Sequence, residues 1–106
     1  MLSEEFRKIV SKLDSLHIND DAGYEKCWEE EVNLLSKNIN ETINFLKSDC
    51  SADEFSWMSE VFDDIVEKTK SKEFIDCIEE TSKRFTEECS KYNIEGAIKA
   101  AKEVLD

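Results

Sequence analysis

One histidine and four cysteines are the residues of this chain whose chemistry is most often catalytic or metal-binding. The cysteines lie at positions 27, 50, 77 and 89, so none forms the closely spaced pair of a structural zinc site. His17 has no glutamate three residues before it, so it does not belong to a Glu-x-x-His pair of a di-iron bundle. Two glycines do not suffice for a phosphate-binding loop. We therefore predict a protein that is not an enzyme and that has no cofactor and no metal site.

Acidic side chains are the chemical feature with the strongest pattern. The chain has 26 acidic and 14 basic residues, which gives a formal net charge of -12. Phosphates repel such a chain, so direct binding to nucleic acid or to an anionic membrane is not expected. A basic protein is the complementary partner. Solubility alone also explains the charge, and this alternative stays open at the level of the sequence.

The most acidic stretch lies in the predicted third helix. Glu60, Asp63, Asp64 and Glu67 follow the spacing i, i+3, i+4 and i+7, which places like charges on one helix face. Such pairs destabilise an isolated helix by a few tenths of a kcal/mol each, which indicates a use such as contact with a basic surface. The predicted partner-binding residues are Glu54, Trp57, Glu60, Asp63, Asp64 and Glu67. The alternative is a solvated acidic face.

The two tryptophans are predicted to have different roles. Trp57 lies one step away from the apolar stripe of its helix, next to acids, as an interface anchor would. Burial of Trp57 between helices is the alternative. Trp28 lies on an apolar stripe and is predicted to belong to the core, beside a second acidic cluster at residues 29–31. Tyr92 lies near a helix end, where the sequence allows either role.

Helices must position all of these residues, because apolar residues recur at helical spacing and no stretch alternates long enough for a strand. We predict five helices, over residues 3–16, 21–48, 51–67, 72–92 and 94–105. Ser51 and Glu54 form a capping-box pattern at the start of the third helix. A break at residues 37–40 is possible, but the second helix is predicted as continuous. The predicted fold class is all-α, with one helical domain over residues 1–106, a bundle of about five helices.

The cysteines favour a reduced, cytoplasmic protein. Cys27, Cys77 and Cys89 fall on apolar helical positions, where a free cysteine behaves as a small buried hydrophobe. The first residues, MLSEEFRKIV, lack the apolar segment of a secretory signal. An even number of cysteines leaves a disulfide possible.

Two short motifs carry a family resemblance. The stretch FSWMSEVFDDIV at 55–66, followed by KSKEFIDCI at 70–78, resembles small acidic immunity proteins of bacterial polymorphic toxin systems, including contact-dependent growth inhibition systems. The similarity covers about residues 55–90 and rests on the loose motifs W-x-S-E-x-F and S-K-E-F-I. It implies a cytoplasmic protein that binds one toxin domain and blocks its active site or substrate groove. Many such toxins are basic nucleases, and Trp57, Glu60 and Asp63 lie inside the matching stretch.

Three functional hypotheses follow from the sequence. The first is an immunity protein that neutralises a cognate, basic, nuclease-type toxin domain. The alternative is an acidic helical adaptor or nucleic-acid-mimicking inhibitor of a DNA- or RNA-binding host protein. An enzyme is the third hypothesis, and it requires a reactive His17 or cysteine in a cleft. No oligomeric state is predicted.

Overall fold

Eight α-helices make up residues 2–105, the part of the chain that the computed structural model describes. The all-α prediction is confirmed. The helices are α1 (Leu2–Ser15), α2 (Asp21–Lys37), α3 (Ile39–Ser48), α4 (Ala52–Ser59), α5 (Phe62–Thr69), α6 (Lys72–Arg84), α7 (Thr86–Tyr92) and α8 (Ile94–Leu105).

The predicted number of five helices is wrong, because the three longest predicted helices are each interrupted once. The breaks fall at Asn38, at residues 60–61 and at Phe85. A continuous helix over residues 21–48 would be about 42 Å long at 1.5 Å per residue. The longest dimension of the molecule is 33 Å, so a helix of that length does not fit in this globule.

Asn38 turns the chain between α2 and α3 and caps the new helix. Its backbone is extended (φ −141°, ψ 90°), and its side-chain oxygen accepts a hydrogen bond from the Glu41 amide at 3.3 Å. The buried Thr42 hydroxyl donates to the Leu35 carbonyl oxygen at 2.8 Å. These two side chains bond backbone groups on both sides of the break, which lowers the cost of interrupting the helix.

Serine hydroxyls precede the other two breaks. The hydroxyls of Ser56 and Ser59 each donate to the carbonyl oxygen three residues earlier. The Val61 amide also donates to the carbonyl oxygen three residues earlier, that of Met58, instead of four residues earlier as in a regular α-helix. Before the third break, Ser82 also donates to the carbonyl three residues earlier, and the Phe85 amide then donates to Ser82. Hydroxyls that bond the preceding turn compete with regular helical hydrogen bonds and favour a bend or an end.

Phenylalanine rings of three helices form the centre of the core around α5. The Phe62 ring lies 5.4 Å from Phe55 and 5.9 Å from Phe74, between ring centroids. Ile65 and Val66 are fully buried on the same helix, which packs most extensively against α8. The inner face of α5 is therefore fixed by apolar contacts, and its outer face faces solvent.

None of the helices in residues 2–105 combines the length and the apolar character that a membrane span requires.

Candidate functional site

The outer face of α5 carries the acids predicted to bind a partner. Asp63, Asp64 and Glu67 are exposed on α5, and Glu60 is exposed at the end of α4. The predicted single-helix stripe is wrong, because the break at residues 60–61 separates Glu60 from the other three. The four side chains are still close in sequence around one short helix, and we call them the α5 ridge.

Two grooves flank the α5 ridge and divide its acids between them. Asp64 and Glu67 belong to a groove of about 460 Å³ between α2 and α5, the Trp28 groove. Glu60 and Asp63 belong to a smaller groove of about 240 Å³ beside α7 and α8, the Tyr92 groove. The Trp28 groove is lined by Glu25, Trp28, Glu29, Val32, Asn33, Asp64, Glu67 and Lys68. The Tyr92 groove is lined by Ser59, Glu60, Asp63, Tyr92, Ala97 and Ala100.

The ridge carboxylates lack ion-pair partners in the part of the chain that the structure describes. Within residues 2–105, no ion pair involves any of the four. The pKa of Asp64 is raised, first by partial burial and then by repulsion from Asp63 and Glu67, and attraction to Lys68 offsets part of this rise. Like charges at this spacing repel one another, so a cation placed at the ridge would relieve an existing repulsion.

Glu54 does not belong to the ridge, although the sequence groups it there. Its side chain is buried, and it accepts a hydrogen bond from Arg7 Nε at 2.6 Å. It also completes the predicted capping box, accepting from the Ser51 amide at 2.9 Å. Burial by itself raises the pKa of the Glu54 carboxyl, but the hydrogen bonds from Arg7 and Ser51 outweigh it, so that the pKa is lowered. This carboxylate holds α4 to α1 and is not free to meet a partner.

The two tryptophans are both half-buried against the core, and only Trp28 also lines a groove beside the α5 ridge. Trp57 is half-buried and packs against the main core and against a second cluster formed by Ile9, Leu13 and Cys27. Trp28 also touches both clusters, but its ring lines the groove beside the α5 ridge. Both tryptophans therefore connect two parts of the core, and Trp28 in addition offers ring surface to a partner that enters the groove.

Tyr92 is a second aromatic residue at the ridge, and the sequence leaves its role open. Its side chain is 51% exposed at the end of α7, in the groove that contains Glu60 and Asp63. Large aromatic side chains are enriched in protein interfaces, where they often act as anchors. Only the packing of α7 beside the α4–α5 junction brings Tyr92 to this groove, since Tyr92 is distant from both acids in sequence.

The residues with catalytic potential are one exposed histidine and four buried thiols. His17 is exposed in the turn after α1, where its Nδ1 accepts a hydrogen bond from the Asn19 amide at 3.2 Å. All four cysteines are buried free thiols, which confirms the predicted burial of Cys27, Cys77 and Cys89. Burial raises the pKa of each thiol, that of Cys50 to about 12. No group of three or more potential metal ligands occurs within the described chain.

A groove of about 640 Å³ between α3 and α6 has no excess of positive or negative charge. Its charged side chains are three basic and three acidic ones: Lys47, Lys83, Arg84, Glu73, Asp76 and Glu80. The Arg84 guanidinium donates to the Leu46 carbonyl at 2.6 Å, so it closes the end of α3. Cys77 lines this groove, but its thiol is buried and donates to the Ile43 carbonyl at 3.8 Å.

Comparison of the chain with protein-family models, with curated proteins and with solved structures finds no match. The resemblance to immunity proteins therefore stays a prediction from the sequence motifs.

Proposed function

We propose that this protein is a cytoplasmic immunity-type inhibitor that binds one basic protein domain, a nuclease-type toxin, through the α5 ridge. The observation that carries the proposal is the ridge itself: four exposed carboxylates without ion-pair partners in residues 2–105, with an aromatic groove on each side. Unpaired charge next to exposed aromatic surface combines the two features that protein partners recognise.

Inhibition would follow from occupation of the toxin's cationic substrate site. A nuclease binds the phosphates of its substrate with basic side chains, and the ridge carboxylates offer the same sign of charge around one short helix. The long-range field of a chain with a formal charge of -12 accelerates encounter with such a surface. Contacts of Trp28 and Tyr92 would then slow dissociation, because buried aromatic anchors contribute most of the affinity in many interfaces.

Capture of partners from the source cells tests this proposal with two charge-matched variants. The ridge variant carries Glu60→Gln, Asp63→Asn, Asp64→Asn and Glu67→Gln. The control variant carries Glu73→Gln, Asp76→Asn, Glu87→Gln and Glu103→Gln, which are exposed acids on other helices. Both variants lose four formal negative charges, so they differ in the position of the lost charge and not in its amount.

The expected result is a single basic protein that the wild type and the control variant retain at moderate salt in a one-to-one complex. The ridge variant should lose it. An added nuclease assay should show that the captured domain is inhibited by the wild type. Equal loss in both variants, or capture of only abundant basic proteins, contradicts the proposal, because generic charge then explains the binding. Retention of a general DNA- or RNA-binding protein in the same pattern supports the adaptor alternative instead.

A further inference from the structure

The Trp28 groove combines an apolar floor with an acidic rim. Trp28 and the buried Val32 provide apolar surface on α2. Glu25 and Glu29, one helical turn apart, form the rim on α2, and Asp64 and Glu67 form the rim on α5. The proposed function uses the charge of the α5 ridge, but it does not say which chemical group of the partner enters this groove.

The rim has an excess of negative charge that the groove does not compensate. Four carboxylates line it against one ammonium group, that of Lys68, so its formal charge is −3. The Lys68 Nζ donates to the Asn33 side-chain oxygen at 2.6 Å, and it forms no ion pair with a rim carboxylate among the described residues. An occupant without positive charge would desolvate these carboxylates without pairing them, which is unfavourable.

An arginine side chain matches both parts of the groove at once. Its aliphatic stem covers apolar surface while its guanidinium remains near polar groups. The planar guanidinium stacks on an indole ring and forms two parallel hydrogen bonds with a carboxylate. Lysine offers only a point charge, and an apolar side chain offers no charge.

We propose that the Trp28 groove is an arginine-binding subsite, in which the guanidinium of an arginine from the basic partner lies against Trp28 and pairs with Asp64 and Glu67. This inference rests on the proposed function for the identity of the partner. The two other grooves described above fit an arginine less well. The groove between α3 and α6 has balanced charge and no aromatic lining residue, and the Tyr92 groove has about half the volume.

A titration with short peptides tests the subsite without the natural partner. The probes are the capped tripeptide amides of arginine, lysine and norleucine, added to the ¹⁵N-labelled full chain. The readout is the indole N–H resonance of each tryptophan. Trp57 is an internal control, because it is half-buried against the core and does not line the Trp28 groove. The Trp57→Phe variant assigns the two resonances.

We expect the arginine peptide to shift the Trp28 resonance saturably and to leave that of Trp57 nearly unchanged. Lysine should bind about threefold more weakly, since it lacks the stacked, bidentate geometry. The double variant Asp64→Asn, Glu67→Gln should weaken binding about fivefold to tenfold. The control pair Glu73→Gln, Asp76→Asn, which lines the groove between α3 and α6, should leave the affinity unchanged.

Absence of binding by the arginine peptide overturns the subsite, and so do three binding patterns. The first is an equal shift of both tryptophans, the second is equal weakening by the two charge variants, and the third is equal binding of the norleucine peptide. The test separates the two proposals. If the peptides do not bind but partner capture depends on the ridge, the proposed function stands and the arginine subsite is wrong. If the arginine peptide binds as expected but capture is generic, the subsite exists and the inhibitor function is wrong.

Discussion

The Glu31 carboxyl gives the sharpest stability prediction for this protein. Its side chain is fully buried, and neither of its oxygens has a hydrogen-bond partner in residues 2–105. Burial raises its pKa to about 8, and repulsion from Glu60 adds to the effect. A carboxylate in this position would be desolvated without compensation, so the native protein holds the group protonated near neutral pH.

The size of the effect follows from the difference between the folded and unfolded pKa. In the unfolded chain the group titrates at its ordinary value of about 4.5, and in the native state at about 8. Between these values the native state binds one more proton than the unfolded state. The free energy of unfolding therefore falls by about 1.4 kcal/mol for each pH unit that the pH rises. At pH 7 the loss relative to acidic conditions is about 3 kcal/mol, a large part of the stability of a small domain.

The substitution Glu31→Gln removes this titration and keeps the shape of the side chain. At about pH 4.5 the wild type and the variant should be similar in stability. The buried amide of the glutamine adds a difference of about 1 kcal/mol that does not depend on pH. The variant should gain about 3 kcal/mol on the wild type between about pH 4.5 and about pH 7. Urea unfolding at several pH values, followed by the helical circular dichroism signal, measures this. Glu29→Gln is the matched control, because Glu29 is exposed two positions earlier on the same helix.

A stability difference between Glu31→Gln and wild type that does not change with pH would refute the reasoning. It would mean that the carboxyl has an ordinary pKa and that the native state lets it reach water. Carbon-detected titration of the Glu31 carboxyl should show a midpoint near pH 8 in the native protein. A midpoint near 4.5 would contradict the same argument independently of unfolding.

Three further predictions concern local bonds, thiols and charge. Replacing Ser51 with Ala should lower the free energy of unfolding by about 1 kcal/mol in a urea titration, because it removes the α4 cap; an unchanged value would contradict the cap. The four buried thiols should resist iodoacetamide near about pH 8 in the native protein and react on unfolding, and rapid native labelling would show that burial fails to protect them. Replacing Glu60, Asp63 and Asp64 with lysine should slow association with the captured basic partner about tenfold at low salt and make the association rate less dependent on salt. Stopped-flow kinetics measures both effects, and an unchanged rate would mean that the partner binds another face.

Signals that act over a few residues were readable from the sequence. The capping box at Ser51 and Glu54 joins side chains and amides three residues apart, so its pattern fixes the start of α4 in any surroundings. The apolar spacing in α1 likewise predicts a helix whose buried residues include Phe6 and Leu13. Helical class, most helix starts and the acidic patch followed from such local patterns.

The three helix breaks could be located only from the tertiary structure, because the local sequence changes the free energy of a break by only a small amount. Asn38 is a poor helix former and a good cap. The free energies of placing asparagine inside a helix and at its cap differ by about 1 kcal/mol or less. Contacts with distant residues then determine whether the helix ends here, since a turn at Asn38 lets Ile43 and Leu46 pack into the core. Ser56, Ser59 and Ser82 are the sequence features that mark the other two breaks, but serine alone does not distinguish a bend from a regular turn.

In the candidate site, too, some features follow from the sequence and others only from the tertiary structure. The sequence determines that residues 29–31 and the α5 ridge are acidic, and that two tryptophans lie near acids. The structure decides that Glu29 is exposed, that Glu30 pairs with Lys12 at 3.3 Å and that Glu31 is buried without a partner. It also decides that Trp28, rather than Trp57, lines a groove. Composition and spacing fix the charge a residue carries, but its exposure depends on which helices pack against it, and residues far away in the chain provide that packing.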